Sequence, residues 1–178
     1  MKKTIPTTTF ALAALAVAAV ALAAPEKTHL ARSVSTRKMA DSVHAVIAAD
    51  QRVYAETAAR LEGAPGHADL LRRAARNIQT HGAEFSYALR SLQPIAASNG
   101  PQTEAEQTGL AFVASHPGEN YYTEEELGGR SYFTAIYAQK AELAACVDCH
   151  NANPRSPRRD LKLGEVMGGV VVRVPLEF

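Results

Sequence analysis

Apolar and polar positions change rhythm several times along the chain. Behind Lys2 and Lys3, Phe10 to Ala23 is an unbroken apolar run, closed by the small-x-small triplet Ala21-Leu22-Ala23 and then Pro25. This is the three-part pattern of a secretory signal peptide, and the run is short for a membrane span. The competing reading is an uncleaved N-terminal anchor. Residues 1–23 are thus expected to be a cleaved Sec-type signal, 24–36 a flexible lead, and 37–178 one domain in the periplasm or outside the cell. No cysteine lies near the cleavage point, which excludes a lipoprotein. No later stretch is apolar enough to cross a bilayer.

From Arg37 to Leu61 the period becomes helical. Val43, Val46, Ile47, Tyr54, Ala58 and Leu61 share one face, and Gly63 is a stop signal. Ala68 to Thr80 repeats the pattern, with Leu70, Leu71, Ala74 and Ile78 inward and Arg72, Arg73 and Arg76 outward. At Phe85, Tyr87 and Leu89 the period drops to two, as in a strand. Thr103-Glu104-Ala105-Glu106 is a capping box opening a helix to about Ala114. Tyr121-Tyr122 and Arg130 to Tyr137 form two further strand patterns around Gly128-Gly129. A short helix follows Lys140, and β-branched Val166 to Val174 is a last strand ended by Pro175. Long helices first and strands later predict an α+β fold with a mostly antiparallel sheet.

Composition narrows the classes. The chain has 178 residues, 47% of them hydrophobic, with 19 Lys+Arg against 18 Asp+Glu and a net charge of +1. Loss of residues 1–23 removes two lysines and no acid, which turns +1 into −1. So even a balance excludes a basic nucleic-acid glove, and the 21% charged fraction excludes an acidic disordered tail. Two cysteines cannot staple a multi-bridge scaffold.

Those two cysteines carry the chemistry. Cys146-Val147-Asp148-Cys149-His150 reads C-x-x-C-H, the attachment signature of c-type haem. Two thiols one helical turn apart add to the two vinyl groups on one porphyrin edge, and the following histidine supplies the proximal nitrogen to iron. A thioredoxin-like pair would sit early in a βαβ unit. A structural zinc site needs four ligands, and a Cys146–Cys149 disulfide would close too small a loop to add much stability. One covalent haem c is the expected cofactor.

The iron's other face is open among His29, His44, His67, His81, His116, Met39 and Met167. His44 borders the apolar stripe of the long helix, where a buried imidazole needs a partner or a metal; the alternative is a partly exposed histidine without a role. Met167, before Gly168-Gly169 in the last strand, is a weaker candidate, since such a methionine more often fills core. His67 and His116 sit beside Gly/Pro turns and read as solvated. Arg155 and Arg158 are candidate propionate donors, with Arg159, Lys162, Arg90 and Arg130 as further options. Tyr132 is the first of the candidate haem-wall aromatics, with Tyr121, Tyr122, Phe133 and Tyr137. For each of these the plain reading is a solvated charge or a core aromatic.

CVDCHN, SPRRDLKLGEVMGGVVVRVPL, LRSLQPI, NGPQTEAE and LGGRSYFTAIYAQKA resemble a family of single-haem c-type proteins. Its members occur as free periplasmic or cyanobacterial cytochromes and as extracytoplasmic sensor regions of chemoreceptors and histidine kinases. HAVIAADQRVYAETAARL is similar to the N-terminal helix of one branch, and the resemblance covers most of residues 38–176. It implies a PAS-like antiparallel sheet with long N-terminal helices and haem held against the sheet. It also implies Cys146 and Cys149 as attachments and His150 as axial ligand, and leaves the sixth position variable. Sensor members continue into membrane and signalling domains, so a sensing role would need a separate membrane partner.

Two functions are expected. One is periplasmic electron transfer with a redox partner protein; the alternative is binding or sensing of a diatomic gas such as nitric oxide or carbon monoxide. Catalysis ranks last, because no distal His/Arg pair for acid–base work is identifiable. No nucleic-acid partner is expected, and a homodimer is left open.

Overall fold

The computed structural model describes the backbone of residues 24–58 and 66–176, with side chains over 35–57 and 66–176. The signal sequence and Gly63 lie outside the described residues. The element order is α1 (Ala24–Ala58), α2 (His67–Thr80), β1 (Ser86–Arg90), a 3-10 turn (Ala97–Asn99), α3 (Glu104–Ser115), β2 (Tyr121–Leu127), β3 (Arg130–Lys140), α4 (Ala144–Ala152) and β4 (Val166–Pro175).

Residues 24–36, read from sequence as a flexible lead, lie within α1, which begins at Ala24. The chain from residue 26 to 58 holds no Gly or Pro, and Pro25 falls in the first turn, where a missing N–H costs nothing.

The four strands form one antiparallel sheet in the order β1-β4-β3-β2. First and last strands lie side by side, and the sheet, with its N-terminal helices, is PAS-like as expected. Gly128 (φ 59) and Gly129 (φ 77) turn β2 into β3 in two residues, and Leu127 pairs with Arg130. Positive φ at both positions is the twist a tight hairpin requires.

Alternation splits the sheet into two faces. Phe133, Ala135 and Tyr137 with Val170, Val172 and Val174 pack against Ala40 and Ile47 of α1 and Leu71 of α2. Ile136 and Val171 face the other way, onto Leu110 and Val113 of α3. Helix α3 lies so close that a Cβ on Gly109 would come within 2.3 Å of the Ile136 Cδ1 atom.

A charged cluster also lies beneath α3. Thr103 caps the helix, its Oγ1 accepting from the Glu106 N–H at 3.1 Å. The Glu106 carboxylate does not complete the box through Thr103. It accepts from the Gln102 N–H at 2.6 Å and turns inward, fully buried, to meet Arg173 at 2.9 Å and Arg90 at 3.2 Å. Arg173 also pairs with Glu125 at 2.7 Å, which accepts from the Thr134 hydroxyl.

Candidate functional site

The C-x-x-C-H segment sits on an excursion between β3 and β4 that is tied at its neck. The Ala141 N–H donates to the Glu165 carbonyl at 2.9 Å, and the Gly164 N–H to the Ala141 carbonyl at 2.8 Å. Inside the loop the Asn151 amide bonds both backbone groups of Leu161, at 2.9 and 3.0 Å. Arg158 pairs with Glu165 and with Asp160. These bonds give α4 a fixed seat without a single fully buried residue of its own.

On α4 the two thiols are three residues apart, so they project on one side of the helix within one turn. Both are free; Cys146 is half-buried and Cys149 exposed. His150 is half-buried in the last turn of α4, and burial holds its pKa below the usual histidine value. Its imidazole is therefore neutral at pH 7 and keeps a lone pair to donate. Among the described residues no group of three or more His, Cys, Asp or Glu side chains could hold a bare metal ion.

Facing α4 is the C-terminal part of α1. Arg52 reaches Glu142, just before α4, at 3.3 Å. The hydroxyl of Tyr54 is raised in pKa by burial and by the neighbouring Cys149 thiol, which puts the two side chains within electrostatic reach. Tyr54 in turn stacks on His67, the first residue of α2, with ring centroids 4.8 Å apart and planes 14° from parallel. The Nε2 atoms of His67 and of Gln51 are both buried with no hydrogen-bond partner among the described residues. Burial lowers the His67 pKa, partly offset by Asp50. His67, read from its Gly/Pro neighbours as solvated, is instead half-buried.

The other predicted residues lie apart from this cluster. His44 is half-buried and stacked flat on Tyr137, centroids 4.0 Å apart and planes 4° from parallel. It precedes Tyr54 by ten residues, about 15 Å along the helix axis. Met167 lines a cleft with Leu110 and Ala114 of α3, on the sheet face away from α1. Arg158 shares that cleft, its guanidinium already committed to acids. Arg155 is exposed, and among the described residues only its backbone N–H is bonded, to the Asn153 side-chain oxygen. Tyr132 lies near the start of β3 under the Arg130 guanidinium, eight residues and about 26 Å from the end that leads to α4. Tyr132 is therefore not brought to the motif.

Tyr54 and Gln51 are residues that sequence reasoning passed over, and His67 is a candidate it set aside as solvated. Tyr54 lies in the apolar stripe of α1 and reads as core. Gln51 carries no local signal, and His67 depends on how α2 folds back against α1.

Residues 23–175, most of the chain, match the family described as Tll0287-like: Tll0287. Among solved structures, "Crystal structure of the cyanobacterial heme-protein Tll0287" aligns over 83% of this chain and 95% of that one, at 17% identity and a TM-score of 0.47. Among proteins of curated function none matches the sequence. The chain belongs to the Tll0287-like family.

Proposed function

We propose that the protein is an exported c-type cytochrome holding one haem through Cys146, Cys149 and His150, and that it carries electrons to or from a partner protein. The observation that carries this reading is α4 itself: two unpaired thiols within one turn, followed directly by a neutral, half-buried imidazole. The family points the same way, since a solved relative is described as a heme-protein.

The residues present suit the group. A porphyrin brings four nitrogens of its own, so the chain needs to supply only axial donors, and the lack of a larger ligand cluster is no obstacle. Bound haem supplies a one-electron iron couple. Cys146 and Cys149 fix the porphyrin edge to α4, and the neck at Ala141, Gly164 and Glu165 orients that helix against the sheet end. His150 holds a lone pair toward the iron. Arg155, exposed and with no side-chain partner among the described residues, is a candidate propionate donor on the motif's own loop. The exposure of Cys149 leaves one porphyrin edge near solvent, where a redox partner can approach.

The test is chemical. The exported chain, matured with a c-type haem apparatus, should keep its haem through acid-acetone extraction, and Cys146→Ser with Cys149→Ser should release it. Haem retained by the double variant would overturn the attachment. Spectra with nitric oxide and carbon monoxide decide the function: a low-spin iron indifferent to both supports electron transfer. Ready binding of either gas moves the protein to the sensing role.

A further inference from the structure

We infer that His67, through Nε2, is the second axial ligand of the iron, opposite His150. This rests on the haem reading above and adds to it the residue on the other face.

Four observations converge. First, the His67 Nε2 atom is buried and has no hydrogen-bond partner among the described residues. Such an atom forgoes its bonds to water and gains nothing in exchange, which native folds rarely tolerate without a ligand or ion. Second, the ring is held in place: it stacks on Tyr54 at 4.8 Å, and this stretch of α1 meets the approach to α4 where Arg52 reaches Glu142 at 3.3 Å. Third, Gln51, one turn before Tyr54 on α1, also ends in a buried Nε2 without a partner. Two buried nitrogens without partners, on the two elements that Tyr54 bridges, mark a place where something polar or metallic belongs. Fourth, the competing donors are placed elsewhere. His44 is about 15 Å up the helix from Tyr54 with one ring face covered by Tyr137 at 4.0 Å. Met167 opens onto α3 across the sheet.

The chemistry is consistent with the electron-transfer role. Two neutral imidazoles give a six-coordinate iron in both oxidation states, and haem held between α4 and α2 changes ligation little on reduction. Gln51, whose buried amide nitrogen has no partner among the described residues, is on hand to steady the ligand or a propionate from the α1 side.

The experiment uses the haem-loaded, full exported chain. Ferric and ferrous optical and paramagnetic-resonance spectra are recorded for wild type, His67→Ala, His67→Gln and His44→Ala, with far-ultraviolet dichroism as a check on folding. Wild type is expected to be low-spin with two nitrogen axial donors. Both His67 variants should turn high-spin and begin to bind carbon monoxide when ferrous, and added imidazole should restore the low-spin spectrum of His67→Ala. His44→Ala should leave the spectrum unchanged. A low-spin wild type whose spectrum survives in folded His67→Ala or His67→Gln would overturn His67 as ligand while the haem reading stands. So would a high-spin wild type. Absence of covalent haem from wild type is the separate failure of the haem reading itself, and it removes His67's role with it.

Discussion

Removal of the Glu106 carboxylate should expose how much the buried charge cluster holds. Glu106 is fully buried and accepts from Arg173 at 2.9 Å, Arg90 at 3.2 Å and the Gln102 N–H at 2.6 Å. Glu106→Ala would strand two guanidinium groups whose side chains are only 12% and 18% exposed. Breaking a buried pair from one side costs about 3–5 kcal/mol. The lower end applies here, because Arg173 keeps Glu125 at 2.7 Å and Arg90 keeps the Ser98 carbonyl at 2.8 Å. A loss of about 3 kcal/mol corresponds to a melting point lowered by about 6–12 °C for a domain of this size. Glu106→Gln, which keeps acceptor oxygen and volume but not charge, should lose about half as much. Urea unfolding with m-values fixes the number, and the haem spectrum should not move, since α3 lies on the opposite face from α1. A Glu106→Ala variant within about 1 kcal/mol of wild type at unchanged m would refute the idea that the cluster is a buried, mutually dependent network.

Two further substitutions probe the sheet. Gly109→Ala should cost about 1–3 kcal/mol from overpacking, because its new Cβ would lie 2.3 Å from the Ile136 Cδ1 atom and 2.6 Å from the Tyr121 Cδ1 atom. Alanine's better helix propensity offsets only about 1 kcal/mol, and a stabilised variant would show that α3 does not seat so closely. For Glu125, burial pushes the carboxyl pKa up, but the Thr134 and Arg173 hydrogen bonds and the Arg173 charge outweigh it, leaving the pKa below its usual value of 4.5. A lowered folded pKa adds stability above the unfolded value that is lost as pH falls through the folded one. Glu125→Gln should therefore flatten the acid limb of stability below about pH 5, and parallel curves for the two proteins would rule the linkage out.

Local chemistry was legible in the sequence, and tertiary partnership was not. C-x-x-C-H needs only one helical turn, so α4 follows from five residues. Gly128-Gly129 dictates its hairpin, Thr103 its cap, and the β-branched run its central strand. Glu106 shows where that legibility ends. Its spacing from Thr103 marks a helix start, yet nothing local reveals that the side chain will turn toward Arg90 and Arg173 on the sheet. His67 was misjudged for a related reason. Gly66 before it indicates a turn, and turns are usually solvated, but the return of α2 against Tyr54 buries the ring. Arg158 reads as a propionate donor from its place beside the motif, but the loop folds Asp160 and Glu165 onto its guanidinium. The α1 start was missed because its polar opening turns lack the apolar period by which helices are recognised.

The division between sheet and site has a consequence for how the protein works. Among the described residues, the largest fully buried side chains lie on β3, β4 or α3, and α4 supplies none. The core therefore closes across β3 and β4 whether or not α4 carries anything, because the neck hydrogen bonds at Ala141 link the strands before the excursion begins. Helix α4 is held from outside that core by Asn151, Leu161 and the Arg52–Glu142 pair. Under the proposed haem reading, a cofactor on α4 would be positioned by the sheet end yet remain at the surface, which suits short-range electron exchange. Changes at His67 or His150 would leave the packing of β3, β4 and α3 undisturbed.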